Sequence, residues 1–241
     1  MLQDPEAFKH VTVAILAGGL GTRLRPVIAE RPKALAEIHG RPFLAYLLDQ
    51  LSTTGFRSVV ICTGYCGEQI HGALGDSYGS LRLSYSREAR PLGTGGALRL
   101  ALPNMISDPV LVMNGDSFCA ADLKGFWDWH CRRGSRATIL LTQVLDTQRY
   151  GAVKVDADGA VIEFAEKSKG KVAGWINAGI YLLSRQVLHS IAEDTNTSLE
   201  YDVFPRWVGQ GLYGHLGQGR FLDIGTPDDY AAAQAFFTPA S

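Results

Sequence analysis

Apolar and polar positions along the chain fall into two textures. In the first half, short apolar runs of strand length alternate with stretches of helical period. Val11 to Leu16 is apolar and partly β-branched and ends at Gly18-Gly19, which predicts a buried strand feeding a loop. Phe43, Leu44, Leu47, Leu48 and Leu51 recur at helical spacing, with Pro42 near the start and Gly55 just past the end. Ser58 to Thr63 predicts the next strand. Leu81 to Ser86 alternates and reads as half-buried, Thr94 to Leu102 reads as a helix, and Pro109 to Met113 is an apolar strand stopping at Asn114-Gly115-Asp116. In the second half, Thr138 to Val144, Ala152 to Val155 and Val161 to Phe164 are short strands split by turns such as Asp158-Gly159. Ile176 to Leu183 is a further apolar run, Ser198 to Val208 a capped helix and Phe221 to Ile224 a short strand. Pro227 to Phe237 closes the chain as a helix, with Thr226 as its N-cap.

Strand–helix–strand alternation implies right-handed crossovers and a mostly parallel sheet, and the hairpin-like second half adds antiparallel strands at one side. The expected class is α/β. Ligands of such sheets bind beyond the carboxyl ends of the strands, so the residues just after each strand carry the candidate chemistry.

Composition narrows the function. The 241 residues include 23 basic and 24 acidic side chains, a net charge of −1, with 46% hydrophobic and 20% charged residues. This is ordinary for a soluble globular chain, and the near-neutral balance argues against nucleic acid as a partner. No run of roughly 18 apolar residues predicts a membrane span. Met1 to His10 carries charges and no signal-peptide core, so a cytoplasmic location is expected. Cys62, Cys66, Cys119 and Cys131 form no C-x-x-C pair and read as reduced, non-catalytic thiols. The histidines show no ligand spacing; His71, His130 and His189 read as helix-surface residues, and Trp175 as core.

The first strand feeds Leu16-Ala17-Gly18-Gly19-Leu20-Gly21-Thr22-Arg23-Leu24-Arg25-Pro26. Glycines at 18, 19 and 21 leave backbone amides bare and permit positive φ, a nest for phosphate oxygens, and Arg23 and Arg25 supply fork-shaped donors. Lys33, in Arg31-Pro32-Lys33, adds a further cation. Neither the G-x-G-x-x-G nor the G-K-[ST] spacing is present, which disfavours a Rossmann dehydrogenase and a Walker A site. Asp116 and Asp223 both follow short apolar strands, and two carboxylates beside phosphate oxygens suit a hard cation. On spacing alone, turn and strand-end roles for them are the commoner reading.

Leu16 to Pro26 followed by Arg31-Pro32-Lys33-Ala34-Leu35 resembles the signature of sugar-phosphate nucleotidyltransferases. The likeness continues through Leu92-Gly93-Thr94-Gly95-Gly96-Ala97-Leu98, Asn114-Gly115-Asp116, Glu166-Lys167, Ile176-Asn177-Ala178-Gly179-Ile180-Tyr181 and Phe221-Leu222-Asp223-Ile224-Gly225-Thr226-Pro227. Ala34 departs from the proline of many members. The resemblance implies a Rossmann-like three-layer sandwich with a mixed, mostly parallel sheet. It implies a single domain over 1–241, with a nucleotide-binding half at about 10–135 and a sugar-phosphate half at about 136–241. Such enzymes join a sugar 1-phosphate to a nucleoside triphosphate and release pyrophosphate.

By the same resemblance, Arg23, Lys33 and Lys167 are the catalytic cations, and Mg²⁺ is the cofactor, held by Asp116 and Asp223. Leu16, Ala17, Gly18, Gly19, Gly21, Thr22, Glu88, Gly93, Thr94 and Gly95 line the nucleotide, with Gly96 beside them. Asn114, Gly151, Glu166, Asn177 and Glu200 meet the sugar. Tyr85-Ser86-Arg87-Glu88, Arg149-Tyr150-Gly151-Ala152-Val153 and Ser198-Leu199-Glu200 most resemble the D-glycero-α-D-manno-heptose 1-phosphate guanylyltransferases, with Pro26 departing from an expected serine. This implies GTP and a heptose 1-phosphate as substrates. Mannose 1-phosphate guanylyltransferases, uridylyltransferases and a catalytically silent nucleotide-sugar sensor are the alternatives. No β-helical acyltransferase domain is expected, and homo-oligomerisation is left open.

Overall fold

The computed structural model describes residues 8–19, 21–28, 31–148, 150, 152–165 and 172–238. In chain order its elements are β1 (Thr12–Ala17), α1 (Arg25–Ile28), β2 (Glu37–Ile38), β3 (Arg41–Pro42), α2 (Phe43–Thr54), β4 (Ser58–Thr63), α3 (Gly67–Leu74), β5 (Ser77–Tyr78), β6 (Leu81–Arg87), α4 (Gly93–Ala101) and β7 (Val110–Asn114). There follow β8 (Ser117–Cys119), α5 (Leu123–Arg133), β9 (Ala137–Val144), β10 (Ala152–Val155), β11 (Val161–Ala165), β12 (Gly174–Leu183), α6 (Arg185–His189), α7 (Phe204–Trp207), β13 (Leu212–Leu216), β14 (Phe221–Asp223) and α8 (Pro227–Phe236).

The apolar runs are buried on both faces, as strands covered by helices must be. Val13 and Ile15 of β1, Val59 and Ile61 of β4 and Leu111 and Met113 of β7 pack with α2, α5 and α8 on one side. The alternate residues Ala14, Val60 and Val112 pack with α4, α6 and α7 on the other. The result is the expected three-layer sandwich. Eight strands lie in the order β13-β9-β12-β7-β1-β4-β6-β5, and β12 and the two-residue β5 run against the other six. The sheet is mixed and mostly parallel, with β12 inserted antiparallel beside β7. Its strand ends, together with a small β14–β8 ladder beside them, converge on one rim.

Local signals act as the sequence suggests. Gly55 ends α2 in the left-handed conformation at φ 105°, where its N–H reaches Leu51 and Ser52. The Thr226 hydroxyl caps α8 by accepting from the Asp229 N–H. The segment after Ser198 departs from the expected helix. It winds as a π-helix over Leu199–Val203 before α7, with Val203 N–H bonded to Ser198 O and Phe204 N–H to Leu199 O. Pro205 has no N–H to continue an ordinary i→i−4 ladder, which favours the wider register. His130 also departs from expectation: it faces the core from α5, its Nδ1 2.7 Å from Thr138 Oγ1, and burial holds its pKa down at about 4. The cysteines are free thiols, and burial pushes Cys119 up to about 11. Among the described residues, no helix is long and apolar enough to cross a membrane.

Candidate active site

β1 ends at Ala17 and releases the glycine-rich loop at the centre of the rim. Gly115, after β7, approaches β1 so closely that a β-carbon there would lie 2.7 Å from Leu16 O, and its N–H donates to that oxygen at 2.9 Å. Only glycine permits this approach, which sets Asp116 beside the loop. From the other direction, the Ile224 N–H donates to the Asp116 carbonyl at 3.0 Å, and Asp223 pairs in register with Ser117. Two aspartates 107 positions apart in sequence therefore face one site.

Their electrostatics agree with that placement. The Asp223 carboxyl is held above the ordinary aspartate range, first by burial and then by the charge of Asp116, with Lys33 opposing. Lys33 reaches Asp116 Oδ2 at 2.8 Å from a short helical turn at Lys33–Leu35, with 11% of its side chain exposed. Lys33 thus partly screens the two carboxylates, whose oxygens are hard donors. That set fits a divalent ion completed by phosphate and water oxygens. Among the described residues, no third His, Cys, Asp or Glu joins them.

A raised folded-state pKa means that ionised Asp223 costs the metal-free fold stability at neutral pH. That cost disappears as pH falls through the folded value toward 3.8, because the protonated form is favoured. Asp223→Asn is therefore expected to raise the melting temperature of metal-free protein at pH 7 and not at pH 4. Equal melting of variant and wild type at pH 7 would mean that ionised Asp223 carries no such cost.

Around the aspartates lies a cavity of about 280 Å³ lined by Leu16, Ala17, Gly19, Gly21, Thr22, Arg23, Lys33, Asp116 and Gly225, among others. Arg23 Nη2 stands 3.5 Å from where a β-carbon on Gly225 would be, next to Asp223. Gly21 has φ 56°, a conformation that favours glycine in the turn between loop and Arg23. A second cavity of about 270 Å³ shares Leu16, Gly19 and Asp116 and extends along Gly18, Glu88, Pro91, Gly93, Thr94, Ala97 and Asn114. Glu88 is half-buried, and burial raises its pKa; its Oε2 accepts from the Leu92 N–H at 3.0 Å. A β-carbon at Gly18 would lie 2.9 Å from Glu88 Oε1, so that glycine makes room for the carboxylate.

The glycines of α4 have a second structural reason. The missing side chains of Gly93, Gly95 and Gly96 make room for the backbone of Thr195–Thr197, and the N–H groups of Gly95 and Gly96 donate to Thr197 O. This contact docks the segment that carries Glu200. Glu200 Oε2 accepts from the Thr94 hydroxyl at 3.0 Å and from Ser198 Oγ at 2.8 Å, and Oε1 from the Tyr181 hydroxyl at 3.1 Å. Asn177 Nδ2 donates to the Tyr181 oxygen at 2.9 Å, and Asn177 Oδ1 accepts from the Gly179 N–H at 2.8 Å. Residues four apart in a regular strand lie about 13 Å apart. Here a register shift in β12 between Asn177 and Tyr181, with Gly179 at φ 73°, folds the strand enough to join them. Asn114 Oδ1 is buried with no hydrogen-bond partner among the described residues.

The structure therefore gathers Leu16, Ala17, Gly18, Gly19, Gly21, Thr22, Arg23, Lys33, Glu88, Gly93, Thr94, Asn114, Asp116 and Asp223 around two adjoining cavities. Asn177 and Glu200 join through Tyr181 and Thr94. Gly151, Glu166 and Lys167 lie outside the described residues, as do Arg149 and the side chain of Arg25. Tyr181 and Ser198 are members that sequence reasoning did not single out for the site. Their signal was weak, an aromatic in an apolar run and an ordinary helix cap.

Comparison with known proteins gives the chain's relatives. The model of the family described as "Nucleotidyl transferase" matches residues 12–239. A D-glycero-α-D-manno-heptose 1-phosphate guanylyltransferase of Aneurinibacillus thermoaerophilus is 36% identical over 221 residues, covering 91% of this chain and 95% of that one. A mannose-1-phosphate guanylyltransferase of Mycobacterium tuberculosis is 33% identical over 233 residues, covering 95% of this chain and 65% of that one. The crystal structure of HddC from Yersinia pseudotuberculosis complexed with GMP-PN superposes with a TM-score of 0.84 at 33% identity, covering 95% of this chain and all of that one.

Proposed function

The chain belongs to the nucleotidyl transferase family, a sugar-1-phosphate nucleotidyltransferase, and from that premise we propose that it transfers GMP from GTP to D-glycero-α-D-manno-heptose 1-phosphate. The observation that carries the proposal is the 36% identity to an enzyme of that activity over 95% of its length. The mannose reading rests on relatives of which this chain spans 65% of the length, as in the M. tuberculosis enzyme.

The chemistry sets the demands. A phosphate oxygen of the sugar phosphate attacks Pα of the triphosphate, the O–Pα bond forms, the Pα–O–Pβ bond breaks, and pyrophosphate leaves with the electron pair. The attacking oxygen is already anionic near neutral pH, so no general base is required. Positioning and charge neutralisation dominate. In this reading the glycine-rich loop cradles the triphosphate with its amides, and Arg23 and Lys33 meet the charge gathering on the leaving phosphates. Asp116 and Asp223 would hold Mg²⁺, which when bound would supply charge screening between the two anionic substrates. Lys33 also bonds Asp116 at 2.8 Å, which restrains that carboxylate. Lys167 is the proposed cation for the sugar phosphate, with Gly151, Glu166, Asn177, Glu200 and Asn114 around the sugar.

The test is pyrophosphate release from a panel of triphosphates and sugar 1-phosphates with Mg²⁺. GTP with the heptose phosphate is expected to turn over fastest. Release with mannose 1-phosphate at equal efficiency would move the assignment to the mannose enzymes. No release with any pair would support the silent sensor. Arg23→Lys keeps the charge and loses the planar fork. It is expected to lower turnover at least tenfold, about 1.4 kcal/mol on the barrier. An unchanged rate would make Arg23 a loop residue only.

A further inference from the structure

Hydroxyls from three separate places hold the Glu200 carboxylate: Thr94 of α4, Tyr181 of β12 and the preceding Ser198. The directions of these bonds are decided. A carboxylate only accepts, so each hydroxyl must turn its one proton toward Glu200. Each hydroxyl oxygen in turn accepts an N–H: Thr94 from Leu199 at 2.8 Å, Tyr181 from Asn177, and Ser198 from Glu200 and Tyr201. Asn177 cannot flip without losing the Gly179 N–H on its Oδ1. Tyr181 is wholly buried, packed beside Phe204 with ring centroids 5.1 Å apart, so its hydroxyl has no other place to go.

Two consequences follow. First, the Thr94 proton is already committed to Glu200. The Thr94 hydroxyl therefore has nothing to donate to the nucleotide, although Thr94 lines the nucleotide-side cavity. Second, a carboxylate has about four acceptor positions. Three hydroxyls fill three of them and leave one, in a fixed orientation, for a substrate hydroxyl.

We infer that Thr94 and Tyr181 are positioning residues for the sugar, which together aim Glu200 at one sugar hydroxyl, and that Thr94 ties this carboxylate to the helix bordering the nucleotide. The inference rests on the proposed role of Glu200 at the sugar. Thr94 acts across the two halves of the site: its neighbours Gly95 and Gly96 bond Thr197, and its side chain bonds Leu199 and Glu200 in the same segment.

Steady-state kinetics test it, with each substrate varied at saturating concentration of the other, using the best sugar 1-phosphate of the panel. Thr94→Val removes the hydroxyl at nearly constant shape. It is expected to raise KM for the sugar 1-phosphate about tenfold, the scale of a lost hydrogen bond to a charged group, and to move KM for the triphosphate by less than twofold. Tyr181→Phe should show the same split, and Thr94→Ser should restore the sugar KM to within about twofold. Because both hydroxyls act through one carboxylate, the double variant Thr94→Val/Tyr181→Phe should lose less than the product of the single losses. A rise in the triphosphate KM without a rise in the sugar KM would overturn the inference, as would multiplicative losses in the double variant. Should Thr94→Val fail to fold, as judged by its melting curve, Tyr181→Phe alone decides, and a normal sugar KM there overturns the proposal. Absence of wild-type turnover with every pair is a separate result, which overturns the functional reading itself.

Discussion

Asp116→Asn is expected to lower turnover at least a thousandfold while leaving the fold intact. That corresponds to about 4 kcal/mol on the barrier, within the range of a lost metal-ligand charge. The substitution leaves the turn alone. The bonds that build it run from the Gly115 N–H to Leu16 and from the Ile224 N–H to the Asp116 carbonyl, and neither uses the carboxylate. The side chain is 44% exposed, so an amide is tolerated there without a desolvation penalty of note. What changes is charge. Asp116 bonds Lys33 at 2.8 Å and repels Asp223. With Asn at 116, the site keeps one carboxylate beside Lys33, and a divalent ion meets about half the negative charge. Lost activity should therefore be partly recovered at high Mg²⁺, with an activation midpoint at least tenfold above wild type. Near-normal turnover by the folded variant at limiting Mg²⁺ would remove Asp116 from the metal site.

The same pair shows what could be read in the sequence. β1 and β7 were legible because their apolar runs are buried on both faces and end in glycine turns, and the residues just past them proved to border the site. That Asp116 and Asp223 face one another was not legible from spacing. It depends on β14 returning to pair with β8, a two-strand ladder of three residues each. The family resemblance supplied that pairing; the strand pattern alone did not.

Elsewhere the limits have local physical causes. α3 has two glycines and few apolar residues among its eight, so its period is faint. α5 buries Leu123, Phe126 and His130, and a histidine on an apolar face reads as polar until the partner Thr138 is seen across the core. β13 is five residues between Gly211 and Gly217 and pairs with β9 only through the tertiary fold. The turn of π-helix after Ser198 and the shift in β12 are irregularities that no periodicity reveals, yet they bring Glu200 and Asn177 together through Tyr181. The roles of Gly93, Gly95 and Gly96 follow the same lesson. The resemblance placed them at the nucleotide, and the structure adds a packing surface for Thr195–Thr197.

GTP is expected to be preferred over ATP and UTP by at least about a hundredfold in kcat/KM, the scale of 2.7 kcal/mol. The cavity along Gly18, Glu88, Pro91, Gly93 and Ala97 places the Glu88 carboxylate among small and apolar residues, with Asp116 also in its lining. Glu88 Oε2 is anchored by the Leu92 N–H, and the backbones of Gly18 and Gly64 crowd Oε1, so the carboxylate is rigid. Guanine offers N1–H and the N2 amino group side by side, two donors that one carboxylate can accept. Adenine turns the N1 lone pair toward the same place, which sets acceptor against acceptor. Uracil brings a single N3–H. In a half-buried site an unmet carboxylate costs more than a missing contact alone, which is why discrimination of this kind is steep. ITP, which keeps N1–H and lacks the N2 amino group, should fall between GTP and ATP. Glu88→Gln should narrow the gap between GTP and ATP at least tenfold, since the amide offers one acceptor and a mismatched donor. The measurement is pyrophosphate release with each triphosphate at fixed, saturating sugar phosphate. UTP matching GTP would overturn the guanylyl assignment and leave nucleotidyl transfer intact. An unchanged GTP preference in Glu88→Gln would move base recognition from Glu88 to the backbone around it.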